Sequence, residues 1–178
     1  TTEIYTLSLH DALPISDDQL LLVQTYQIMY PGQHIGVDSI AESAPRYATV
    51  IIAGEKFCSK LECHTLRSAR VMALWAGVDG EVNTAAAMRP GQVKFYMLHF
   101  LKKGDKYEQH LFGCVRWYSE DAEREVYRRP VEVWKLKTFD SPGAASFIPV
   151  QRLYCKFAVV EKKQSSKLII SPILRSFC

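Results

Sequence analysis

Cysteine and histidine are the residues of this chain best suited to hold a metal or attack a substrate. Cys58, Cys63 and His64 form a C-x4-C-H run, and His99, His110 and Cys114 follow further on. Cysteine pairs in structural zinc sites are tight and usually come in twos. This pair is wide and no second pair accompanies it, so no metal is expected. Cys114 and Cys155 lie inside strand-like runs, where a free cysteine behaves as a small buried hydrophobe. A Cys–His nucleophile needs contact in space, which these separations do not specify. There is no G-x-S-x-G elbow and no H-E-x-x-H helix, and Gly54–Lys60 (GEKFCSK) lacks the second glycine and the GK[ST] ending of a phosphate loop. The acids of Ser119–Glu125 (SEDAERE) are interleaved with Arg124 and followed by Arg128, the pattern of a solvated charged turn rather than of paired acid–base catalysts. No catalytic residue and no cofactor is expected. An enzyme fragment is the reading with least support.

Two residue classes remain that could bind a partner. The basic candidates for nucleic-acid contact are Arg67, Arg70, Lys102, Lys103, Lys106, Arg128 and Arg129, with the three lysines at a hairpin tip where they could meet phosphates. The aromatic candidates are Trp117, Tyr118 and Trp134, within a second half that also holds Phe95, Tyr96, Phe139 and Tyr154. Aromatic boxes hold methylated ammonium groups by cation–π attraction. Aromatics on strands more often fill a core, and alternation places Trp117 with Leu111 and Val115.

The elements that must position these residues are mostly strands. Asp17–Tyr30 carries an apolar face and stops at Pro31-Gly32, which predicts one short helix with Asp17 or Asp18 at its start. Tyr47–Ala53, Ser68–Trp75, Gln92–Leu101, Gln109–Tyr118, Val131–Leu136, Phe147–Val150 and Leu153–Val160 read as strands, and Leu168–Ile170 as a last short one. Gln92–Leu101 and Gln109–Tyr118 form the clearest hairpin, turning around Gly104-Asp105. The expected fold is a single twisted β-barrel or sandwich-like domain with one short N-terminal helix. Its expected divisions are 1–16, an artefactual or disordered segment; 17–45, helix and linker; 46–161, the β domain; and 162–178, a tail opening on the polar KKQSSK.

Composition agrees with a globular chain: 48% of residues are apolar and 23% charged, too many and too few respectively for disorder. Thr1–Ile15 (TTEIYTLSLHDALPI) resembles the in-frame translation of a short-read sequencing adapter, which takes His10 and Asp11 out of the candidate set. Setting that segment aside removes Glu3 and Asp11 and no base, leaving the rest more basic than the +3 of the whole chain. Such a charge permits acidic partners without requiring them. Five cysteines at irregular spacing and no secretory signal predict reduced thiols inside the cell, and no apolar run is long enough to span a membrane.

Val115–Pro130 (VRWYSEDAEREVYRRP) and Ser146–Lys163 (SFIPVQRLYCKFAVVEKK) resemble two blocks of bromo-adjacent homology domains. In these, a strand ending V-x-W-F/Y leads to a charged stretch and a proline, and an apolar pair and polar turn lead into the closing strand. The resemblance implies a β-barrel-like, non-enzymatic reader that docks a protein or histone-tail peptide in the nucleus, with Trp117 as the residue that carries over. The family's G-D-x-V opening has no counterpart here, and Cys155 precedes Lys156 where the family's cysteine follows its lysine. A wider stretch, Tyr47 to about Val160, is similar to uncharacterised transposable-element-associated proteins of animals, notably at Arg89–Val93 (RPGQV). That similarity assigns no activity; a nucleic-acid-binding module of a mobile element is the alternative, and it requires the basic residues above to converge on one face.

Overall fold

The computed structural model describes residues 9–14, 18–61, 66–77, 81–85 and 88–173. Cys63, His64 and Cys178 lie outside them. The described residues are mostly β with one α-helix, as the sequence predicts. Its elements are β1 (Leu9–Pro14), α1 (Gln19–Met29), β2 (Ser43–Tyr47), β3 (Thr49–Ile52), β4 (Glu55–Cys58), β5 (Arg70–Ala73), β6 (Arg89–Lys103), β7 (Lys106–Glu120), β8 (Glu132–Phe139), β9 (Phe147–Pro149), β10 (Leu153–Lys162) and β11 (Lys167–Ile173).

Six of the strands close on themselves. β6 pairs with β5, β5 with β10, β10 with β11, β11 with β8, β8 with β7, and β7 back with β6, all antiparallel. Closure satisfies both edges of every ring strand. β2 and then β1 extend the sheet from β6, and β9 adds to β7. Five of the ring strands supply its filling: Met72, Tyr118, Trp134, Cys155, Phe157, Leu168 and Ile170.

The β6–β7 hairpin is longer than the ring and serves two further layers. One face carries Val93, Tyr96, Val115 and Trp117, packed with Val50, Ile52 and Phe57 of the β3–β4 hairpin and with Ala145, Ile148 and Val150. Gly91 sits opposite Trp117 in the register. A Cβ there would come within 2.4 Å of a Val115 methyl and 3.1 Å of the Trp117 ring, so the RPG run needs its glycine. The other face carries Phe95, Met97, Leu101, Phe112 and Cys114 beneath α1, which buries Leu22, Val23 and Tyr26 on them. Gly32, at φ +86°, turns the chain after the helix. Asp18 occupies the N-cap but makes no capping hydrogen bond; its carboxylate instead lies 3.6 Å from Arg46.

The expected boundary at residue 161 falls inside the ring. KKQSSK is not a linker but a hairpin turn with Ser166 in the left-handed region, and β11, which follows it, joins β10 to β8. Without that strand the ring would be open. The stretch expected to be a linker likewise holds β2, and Leu9–Pro14 pairs with it.

Candidate functional site

The aromatic candidates do not converge. Trp117 is 4% exposed and turned to the outer layer, where its indole N–H donates to the Ala145 carbonyl at 2.8 Å. Tyr118 and Trp134 belong to the ring filling instead. The Trp134 indole donates to Glu132 at 3.0 Å, with the Arg124 guanidinium over its ring at 4.7 Å. Strand alternation forces this split, since neighbours on a strand face opposite ways.

The basic candidates also separate. Arg70 is buried and ion-paired to Glu161 at 2.8 Å. It pairs in register with Gln92, whereas Lys102, Lys103 and Lys106 sit at the far end of the hairpin. Ten residues of strand put about 30 Å between the two places. Lys103 is engaged by Glu108 at 2.5 Å. Arg128 is exposed and Arg129 meets Glu125 at 3.2 Å, both in the β7–β8 connection, while Arg67 is exposed just before β5. That connection is the ion-paired, solvated segment its sequence suggests: Arg124 bridges Glu120 and Glu132, and Lys167 reaches Glu123 at 2.6 Å.

What the structure does assemble is a cleft of about 620 Å³ along the α1 side of the β6–β7 hairpin. That hairpin face has three zones. Tyr118 lies inside the ring, Cys114 and Phe112 lie beneath α1, and Arg116 lies in the gap between them. Residues 137–142 close one side, Asp18 and Leu21 of α1 the other, and Trp117 borders it.

Two backbone irregularities shape the cleft. The β6–β7 register slips between Val93 and Phe95, leaving Lys94 as the extra residue of a bulge. Bulges re-aim side chains, and Lys94 is turned to solvent along the cleft. β8 bows out in the same way: Glu120 pairs with Trp134 but Tyr118 with Phe139, and Lys137 within the bow sits at φ +57°. Both irregularities therefore deliver a lysine beside Arg116.

The guanidinium of Arg116 is supported from below. It lies 3.8 Å from the centre of the Phe139 ring, which packs at a tilt on Tyr118 at 4.7 Å, which in turn meets Phe157 edge-on at 6.3 Å. A cation held on an aromatic face keeps its N–H edge free for an anion.

The cleft's acids are already engaged. Asp140 is bound by the buried Arg89 and accepts from the Ser119 hydroxyl at 2.8 Å, and Asp18 faces Arg46. Arg89 also donates to the carbonyls of Gly77 and Tyr118. Lys94, Arg116 and Lys137 have no acid partner among the described residues. The Cys114 thiol at the cleft floor is buried, which pushes it up to about 12, away from the range of a reactive thiolate.

A second polar cluster lies further along the same hairpin face. Ala41 N–H donates to His99 Nε2 at 3.2 Å, so Nδ1 carries the ring proton and donates to the Tyr26 hydroxyl at 2.7 Å. Burial, with His110 nearby, lowers His99 to about 4. The Tyr30 hydroxyl donates to Glu108, and burial and that bond raise it to about 12. Hydrogen bonds from Lys103 and then Tyr30 hold the Glu108 carboxyl below its usual range. Lys103 also sits 3.4 Å above the Tyr30 ring. The cluster fastens α1 to the hairpin.

Comparison with family models, with curated proteins and with solved structures gives no match. Among the described residues no helix is long and apolar enough to cross a membrane, and no group of three metal-ligating side chains converges.

Proposed function

We propose that this chain is a non-enzymatic interaction module of the bromo-adjacent homology kind, docking a segment of another protein in a nuclear, chromatin or mobile-element setting. The observation that carries the reading is the cleft itself: about 620 Å³, walled by the ring mouth on one side and α1 on the other, with an aromatic-backed arginine in its floor. Concave pockets with a few fixed polar groups in an apolar frame are the default binding sites of proteins. The VRWY block, on which the resemblance rests, supplies both Arg116 and the bordering Trp117. A methyl-lysine cage made of Trp117, Tyr118 and Trp134 is not supported, because these side chains are buried on opposite faces.

The test is binding of the full chain to a peptide panel that includes methylated and unmethylated histone tails. Duplex DNA at low and moderate salt runs beside it. Ser141 is exposed at the cleft rim, so Ser141→Trp obstructs the cleft without touching the core. Peptide binding that Ser141→Trp abolishes is the expected result. Salt-sensitive DNA binding without peptide binding would replace this reading with the mobile-element, nucleic-acid one.

A further inference from the structure

The charge of the cleft narrows the choice of guest, on the reading that the cleft docks a protein segment. Lys94, Arg116 and Lys137 line one concavity, and both acids that line it are engaged by other cations. Arg89 and Arg46 thus offset the negative charge that would otherwise answer the three. A cationic guest such as a histone lysine would be repelled there. We propose that the cleft binds a phosphorylated serine or threonine side chain of a partner protein.

A phosphoryl group fits this arrangement better than the other anions. It carries close to two negative charges at neutral pH and three strong acceptor oxygens. Arg116, held over the Phe139 ring, carries the fork that grips such a group at two oxygens, and two lysines add point charges. A carboxylate brings one charge to three cations. A nucleic-acid strand needs a run of cations spaced along its backbone. Here Arg46 and Arg89, the bases adjoining the cleft, are taken up by Asp18 and Asp140, and the other candidates lie elsewhere: Lys102, Lys103 and Lys106 about 30 Å away by the strand rise, and Arg129 beside Glu125 in an acid-rich connection. The irregular backbone at Lys94 and Lys137 points the same way. Bulges and left-handed non-glycine residues gather at functional sites.

The experiment is retention of the full chain on beads bearing a degenerate peptide pool centred on phosphoserine. Matching pools carry unmodified serine or glutamate at the centre, and a further set of beads carries a mixed-sequence single-stranded oligonucleotide. The expected result is at least tenfold stronger retention on the phosphorylated pool. Arg116→Gln, and separately the double variant Lys94→Gln/Lys137→Gln, should lose that preference at least tenfold, and Arg129→Gln should keep it. All these side chains are exposed, and thermal unfolding of each variant at the wild-type temperature shows that losses are not failures to fold. Equal retention on phosphorylated and unmodified pools, lost in Ser141→Trp, would overturn the phosphate assignment while leaving the cleft as a docking site. Peptide retention indifferent to Ser141→Trp and to Arg116→Gln would overturn both. Stronger retention on the oligonucleotide than on any peptide pool would overturn the assignment in favour of nucleic acid.

Discussion

Two polar clusters share one face of the β6–β7 hairpin, and they are built on opposite principles. Beneath α1, Tyr26, His99, Tyr30, Glu108 and Lys103 answer one another within hydrogen-bond reach. In the cleft, acids are matched to cations outside it, and three exposed cations have no acid partner among the described residues. Buried polar groups are tolerable only when satisfied, so the first cluster is what docking a helix over histidines demands. Exposed cations carry no such demand, and the packing of the described residues does not call for three of them in one cleft. The first cluster is explained by stability. The second is explained by a ligand.

The strongest way to break the contrast is to release Asp140. Arg89 is 2% exposed and binds Asp140 and two carbonyls. Arg89→Met removes these bonds together and leaves buried acceptors unpaired, at a cost of about 3–5 kcal/mol. Urea unfolding checks this, and a loss below about 1 kcal/mol would mean that Ser119 and the backbone hold the wall alone. If enough folded protein survives, the freed Asp140 should compete with an anionic guest, and binding should weaken beyond the loss of folded fraction.

A smaller effect separates the clusters by pH. His99 is lowered to about 4 in the folded protein by burial, against about 6.5 in an unfolded chain. A depressed folded value means that its contribution is complete above the unfolded value and is lost as pH falls from about 6.5 toward 4. Between pH 7.5 and 5 the loss from this group is about 2 kcal/mol. His110, also lowered by burial, acts in the same direction. The urea midpoint of the wild type should therefore fall over this range, and His99→Gln should flatten the profile. An unchanged slope in that variant would place the sensitivity elsewhere.

The same contrast explains what could be read from the sequence. The hairpin was legible because Gln92–Leu101 and Gln109–Tyr118 are apolar, β-rich and joined at a Gly-Asp turn, all local properties. Trp117 is in the sequence a peptide-binding candidate with core as its competing reading, and the structure buries it with Val115, the residue alternation groups it with. Ring closure was hidden in Lys162–Lys167, which is polar as a linker is polar; only the pairing of β11 with β8 makes it a turn. The cleft was hidden for a different reason. Lys94 breaks the two-residue period that face assignment relies on, Lys137 owes its place to a left-handed residue, and the silencing of Asp140 depends on an arginine 51 residues away. Charge, not aromatic content, was the signal, and it became visible only once each acid had been assigned to its cation.

The mildest perturbation is the most diagnostic. Lys137 is exposed and held at φ +57°, a conformation that costs a non-glycine residue roughly 1 kcal/mol. Glycine adopts it freely but gains entropy in the unfolded chain, which returns part of that difference. Lys137→Gly should therefore fold within about 1 kcal/mol of the wild type, on the stabilising side, as read from the urea midpoint. Were the lysine there for the fold, the same change would destabilise. A variant that is at least as stable yet retains less phosphopeptide would show that strain is kept at this position for the charge it delivers. Tyr26→Phe should do the reverse, lowering stability by about 1 kcal/mol through the lost bond to His99 while leaving retention unchanged. Opposite signs in these two variants, one in β8 and one in α1, would separate the cluster that docks the helix from the cluster that awaits a ligand.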